Sequence, residues 1–134
     1  MDELVLRIKE PDLCYVFARN ARRRGHPELA LQAYRRAVDL RADQHGSETE
    51  AELCALRAIY VYEEALSHRK GKRTRATGTW QMVNRYGIFP TISRHLNSRD
   101  SEDMLPVLEE LGMSDYSYQE VRNSHPEVFL ENAA

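Results

Sequence analysis

Apolar residues in this chain recur at helical spacing almost throughout and alternate at strand spacing only once. Leu4, Leu6 and Ile8 alternate, which fits a short strand or a first helical turn equally well. From there the period is that of a helix. Pro11-Asp12 opens one, with Asp12 as N-cap. Leu13, Phe17 and Ala21 fall at i, i+4 and i+8, and Cys14 and Ala18 widen the stripe. Arg22-Arg23-Arg24-Gly25 closes it: Gly25 supplies a positive-φ C-cap, and the arginines complement the negative end of the helix dipole. Pro27 starts a second helix, where its missing N–H costs nothing, running to about Asp43. Its apolar face is Ala30, Ala33, Tyr34, Ala37 and Val38. After a turn at Gln44-His45-Gly46-Ser47, a long helix spans about Glu48 to His68. It is apolar on more than one side at Leu56, Ala58, Ile59, Val61 and Tyr62, the pattern of a central helix.

The rest reads as short helices. Thr79 caps one carrying Trp80, Val83 and Tyr86, stopped by Gly87. Phe89-Pro90 starts another with Ile92 and Leu96. Ser101 caps a third, with Met104, Leu105, Leu108 and Leu111 inside and Gly112 as C-cap. Asp115 to Arg122 is a further short helix, and Ser124-His125-Pro126-Glu127 matches a capping box before Val128, Phe129 and Leu130. No pair of strands with hairpin chemistry is visible. The expected fold is all-α, a compact bundle of seven or eight helices, two to three longer N-terminal ones followed by several short ones. At 134 residues the chain suits a single domain. Within it, 1–68 holds the hairpin and central helix, 69–78 is a basic connector, and 79–134 is a short-helix subdomain.

The stretch Cys14 to Leu40 resembles a tetratricopeptide helix hairpin. Gly25 takes the turn, Ala30 the small position, Tyr34 the aromatic and Ala37 the second small position. Small residues let two helices approach, and the aromatic fills the gap between them. Phe17 suits the first helix, but Cys14 stands where that family often has Trp, and Ala42 where a proline is usual. The Ala-x3-Tyr-x2-Ala spacing recurs at Ala58, Tyr62 and Ala65, offset by 28 residues against a family period of about 34. A tandem array is therefore not expected. One hairpin packed on a third helix is expected instead, generic small–aromatic packing explains the recurrent spacing, and the helix-hairpin groove near Tyr34 and Tyr62 is the candidate protein-binding surface.

Composition changes this picture little; charge changes it more. An apolar fraction of 42% is enough for a core. The longest apolar runs are far short of a membrane span, and the acidic N-terminus does not look like a secretory signal. Cys14 and Cys54 sit 40 residues apart in apolar helical patterns, which reads as two reduced thiols in a cytoplasmic protein. The net charge of −2 conceals a segregation: −2 over residues 1–64, +8 over 65–99, −8 over 100–134. The middle block has eight bases and no acid. Sixteen of the 19 bases in the chain are Arg, a side chain suited to bidentate phosphate contacts.

No catalytic signature appears: no Gly-rich phosphate loop, no His-Glu-x-x-His, no Gly-x-Ser-x-Gly. His26 and His125 sit in His-Pro-Glu triplets that read as helix entries. Glu63-Glu64 and Glu109-Glu110 point about 100° apart on a helix and read as solvated surface. Asp100, Glu102 and Asp103 are conceivable metal ligands of a nuclease, though acids are expected at a helix start. No cofactor, metal or catalytic residue is assigned, so the chain reads as a binding protein rather than an enzyme.

The basic block carries the functional expectation, a nucleic-acid interface with DNA favoured. Arg69, Lys70, Lys72, Arg73 and Arg75 are its centre. Glycines 71 and 78 and threonines 74, 77 and 79 leave the backbone free to follow phosphates and add donors. The two helices around Gly87 then resemble a helix-turn-helix in outline, with Arg85 as a secondary contact and Thr91, Arg94, Asn97 and Ser98 turned to solvent. Trp80 reads as a core anchor, or else as a stacking platform for a base. The alternatives to nucleic acid are a protein partner or homodimer at the helix-hairpin groove and, last, a metal-dependent nuclease-like enzyme. The acidic 100–134 block is expected either to pair with the basic block or to mask it.

Overall fold

A computed structural model describes residues 1–131; the side chains of Asp100, Leu130 and Glu131 lie outside the description. The described residues form nine α-helices and one 3-10 turn and contain no strand. The chain divides into two compact units, Met1–Gly46 and Ser47–Ala134, each taken by itself below.

Unit 1 holds α1 (Glu3–Leu6), α2 (Pro11–Arg23) and α3 (Pro27–His45). The ambiguous N-terminus is helical because the Asp2 carboxylate accepts from the Leu4 N–H at 2.8 Å and closes the first turn. In α2 Pro11 occupies the first position, so Glu10 rather than Asp12 flanks the start and Asp12 lies in the first turn. Gly25 turns the chain at φ +80°, and the His26 N–H reaches the Ala21 carbonyl at 2.8 Å. The hairpin expected between Cys14 and Leu40 is present. Its core is Cys14, Ala18, Ala21, Ala30, Ala33, Ala37 and Leu40, with Phe17 and Tyr34 half-buried against it. Six of the seven buried residues are alanine or cysteine, so backbones meet closely, and larger side chains pack at the edges. Tyr34 lies 6.5 Å from Tyr15, with the Arg22 guanidinium 5.3 Å from its ring centre.

Unit 2 begins with α4 (Glu50–Lys70). Thr49 caps it, accepting from the Glu52 N–H at 3.1 Å while the Glu52 carboxylate accepts from the Glu48 N–H at 2.8 Å. Gly71, at φ +71°, ends it. There follow α5 (Thr77–Tyr86), α6 (Ile88–Leu96), α7 (Arg99–Glu110), a 3-10 turn (Ser114–Tyr116), α8 (Tyr118–Ser124) and α9 (Pro126–Glu131). Ala55, Ala58 and Ile59 of α4 form a core with Ile92, Tyr118, Val121 and Phe129; Trp80, Val83 and Leu96 pack on its edge. Buried side chains lie on more than one side of α4, as its pattern indicated.

Three expected caps are placed differently. Thr79 is buried inside α5, which starts at Thr77. Ser101 is buried in the first turn of α7 and accepts from the Gln119 amide at 2.9 Å, the helix having begun at Arg99. Ser124 is the last residue of α8, so it is not the N-cap of α9. Thr79 and Ser101 give their hydroxyls to tertiary partners, His95 and Gln119, rather than to a local helix end.

Candidate nucleic-acid interface

The basic connector is shorter than 69–78. Arg69 and Lys70 belong to the last turn of α4, and Thr77 and Gly78 to α5, which leaves residues 71–76 between helices. This segment is pinned, contrary to the expectation of a pliable backbone. Ser67, buried on α4, donates to the Glu63 carbonyl (2.8 Å) and accepts from the Thr74 N–H (2.9 Å). The Lys72 N–H reaches the Ser67 carbonyl at 3.2 Å. One turn back on the same face, the Glu63 carboxylate accepts from the Ala76 N–H at 2.8 Å and the Trp80 indole N–H at 2.9 Å. Glu64 receives the Arg73 guanidinium in a two-pronged pair at 2.7 and 2.9 Å.

Glu63 and Glu64 are therefore not solvated surface: both are buried, at 7% and 4% exposure. They do point in different directions, and that is how they work. One holds the backbone and indole beyond the connector; the other holds a guanidinium within it. Burying a carboxylate is tolerable only when donors surround it, and the connector and Trp80 supply them. Trp80 is accordingly an anchor, its ring 5.0 Å from Tyr60 and its N–H on Glu63.

This arrangement sorts the expected phosphate ligands. Arg73 is committed to Glu64, and Arg75 approaches Glu63 at 4.0 Å while its side chain stays 74% exposed. Arg69 is exposed but rests its guanidinium on Met104 Sδ at 3.1 Å. Lys70 and Lys72 are exposed and enter no ion pair among the described residues. The acids that meet Arg73 and Arg75 come from α4, just upstream of the basic block.

Around Gly87 the helices do turn on one another, at φ +92°. The reading helix does not survive. Thr91 is fully buried and its hydroxyl donates to the Gly87 carbonyl at 2.8 Å, so it cannot face a groove. Ser98 is half-buried and donates to the His95 carbonyl at 3.0 Å. Arg94 and Asn97 are exposed as expected, and so is Arg85. Thr79 and Thr74 are also spent internally, on His95 Nε2 (3.0 Å) and the Lys72 carbonyl (2.9 Å).

The feature missed in the sequence is Tyr86, the last residue of α5. It is 40% exposed, with the Arg94 guanidinium 3.9 Å and the Arg85 guanidinium 5.5 Å from its ring centre. The adjacency of Arg85 and Tyr86 was visible; the arrival of Arg94 from the next helix was not, because it depends on the angle of the turn.

Glu102 and Asp103 are exposed, the Asp100 side chain lies outside the described residues, and no cluster of three or more His, Cys, Asp or Glu able to hold a metal occurs among the described residues. His125 lies 3.6 Å from Glu127, beside its own helix start. Tyr34 and Tyr62 are half-buried in the cores of different units. Neither Cys14 nor Cys54 forms a disulfide, and burial pushes the Cys54 thiol up, with Glu50 adding to the shift and Arg57 opposing it. No described helix is long and apolar enough to cross a membrane. Residues 113–134 supply Tyr118, Val121 and Phe129 to the core of unit 2, so much of the acidic tail is structural. No known protein family, curated protein or solved structure matches this chain.

Proposed function

We propose that this chain binds nucleic acid, through cations on the last turn of α4, the pinned connector and the corner between α5 and α6. The observation that carries the reading is the set of exposed cations left over once the buried acids are served. Lys70, Lys72, Arg85 and Arg94 enter no ion pair among the described residues, and Arg75 is mostly exposed. The block from 65 to 99 contains no acid to compete for phosphate. Arg73 moves from ligand to scaffold: it holds the connector so that its neighbours are displayed. Thr91 leaves the site altogether.

Binding of this kind works by counterion release. With about five phosphate contacts, log K should fall with log salt at a slope of about −4.5 on duplex and about −3.5 on single strands. Lys70→Glu with Lys72→Glu should flatten that slope by about 2. A slope near zero, or a double variant indistinguishable from the parent, would discard the reading.

A second reading, a protein-docking or self-pairing surface, is favoured by one observation in unit 1. Five of the six exposed large apolar side chains among the described residues lie there: Met1, Leu4, Leu6, Leu13 and Val16. Sedimentation of the parent chain and of Leu13→Asp with Val16→Asp reads self-pairing directly, and a monomer in both cases counts against it.

A further inference from the structure

We infer that the nucleic acid held by this face is single-stranded, with an unpaired base stacked on the Tyr86–Arg94 pair. This rests on the nucleic-acid reading and adds the form of the ligand.

Three observations converge on it. The first is that α6 is a poor reader of duplex DNA. A recognition helix puts several side chains from its N-terminal end against base edges. Here Ile88, Phe89 and Pro90 are half-buried, Thr91 and Ile92 are fully buried, and Arg94 is the one exposed residue of the helix. Asn97 lies beyond its end. One arginine can touch a phosphate or a base, but it cannot read a run of base pairs.

The second observation is Tyr86 itself. It is the one large apolar side chain exposed in unit 2 among the described residues. Aromatic rings and guanidinium planes are the two surfaces on which proteins stack unpaired bases. Tyr86 and Arg94 present both at one place, 3.9 Å apart, with a second guanidinium from Arg85 beside them. In a duplex the base faces are covered by neighbouring bases, and such a platform has nothing to receive.

The third is placement. Lys72 lies at the α4 end of the connector, five residues before α5, and Tyr86 at the far end of that helix. Ten helical residues span about 15 Å. A strand that reaches both has phosphates near Lys70 and Lys72 and a base at the corner, which suits an extended single-strand backbone. Glu63 and Glu64 hold the connector end of that track in place.

The test uses the full chain and labelled oligonucleotides of about 20 nucleotides, as single-stranded DNA, single-stranded RNA and duplex DNA of the same sequence, at about 50 mM salt. Anisotropy should show tighter binding to one or both single strands than to duplex. Tyr86→Leu should weaken single-strand binding roughly tenfold, with duplex binding unchanged, and Tyr86→Phe should keep the parent affinity. Thermal melts of each variant establish that this exposed position leaves the fold intact. If duplex binds as tightly and Tyr86→Leu changes nothing, the single-strand inference is overturned while phosphate binding stands. If no oligonucleotide binds even at low salt, both fall together.

Discussion

The two units reach a buried core by opposite means. Unit 1 presses two helices together on small side chains: Ala18, Ala30, Ala33 and Ala37 are all fully buried. Among the described residues, no buried polar or charged side chain lies in unit 1. Unit 2 closes around a long helix that carries two buried carboxylates and a buried serine, and part of its structure is a polar latch. The first kind of core depends on shape alone and tolerates no added volume. The second depends on matching each buried acceptor with a donor, and fails when a partner is removed. Lys70 and Lys72 stay exposed beside the second, because the acids that organise the connector take up Arg73 instead.

The sharpest way to break this contrast is at Glu63. Glu63→Ala leaves the Ala76 and Trp80 N–H groups without their acceptor and should cost about 3 kcal/mol, read from the denaturant midpoint. Glu63→Gln keeps one acceptor oxygen and should cost less. A loss below about 1 kcal/mol for the alanine variant would show that the latch is decorative and that unit 2 is held by its apolar core like unit 1.

Next in size is overpacking of the hairpin. Ala33→Leu should cost about 2 kcal/mol, with the loss of hydrogen-exchange protection confined to α2 and α3. If protection in α4 falls equally, the two units do not unfold as separately as their cores suggest. Gly25→Ala should cost about 1 kcal/mol because the turn needs positive φ; no atom within 4 Å obstructs a Cβ there, so the effect is backbone strain alone.

The smallest effect has the opposite sign. The Tyr118 hydroxyl is buried and has no hydrogen-bond partner among the described residues, while its ring stacks on His95 at 5.2 Å. Tyr118→Phe should therefore be neutral or stabilising, by up to about 1 kcal/mol. Burial, aided by Tyr62 and Glu63, also holds this phenol well above its ordinary range. The folded chain keeps a proton that the unfolded chain releases near pH 10, so stability falls as pH rises past about 10. Tyr118→Phe should flatten that fall; an unchanged alkaline slope would assign it to other groups.

Contacts made at fixed helical spacing are legible in the sequence, and contacts set by packing are not. Gly25, Ala30, Tyr34 and Ala37 announced the hairpin because its contacts join residues at fixed helical spacing around one tight turn. Glu63 and Glu64 were misread, since adjacent acids on a helix ordinarily face water, and the donors that make burial tolerable sit nine to seventeen residues away. Thr91 was misread for a related reason: its hydroxyl bonds its own helix, and packing turned that face inward.

The sequence by itself determined the all-α class, the hairpin with its glycine turn, the central character of α4 and the block of cations without acids. Each follows from periodicity or composition, which act within a few residues. Tertiary structure alone decided which cations stay exposed, that the connector is pinned, and that Arg94 meets Tyr86. Those outcomes depend on which donor reaches which acceptor across a turn, and one chain order is compatible with many such pairings until packing selects among them.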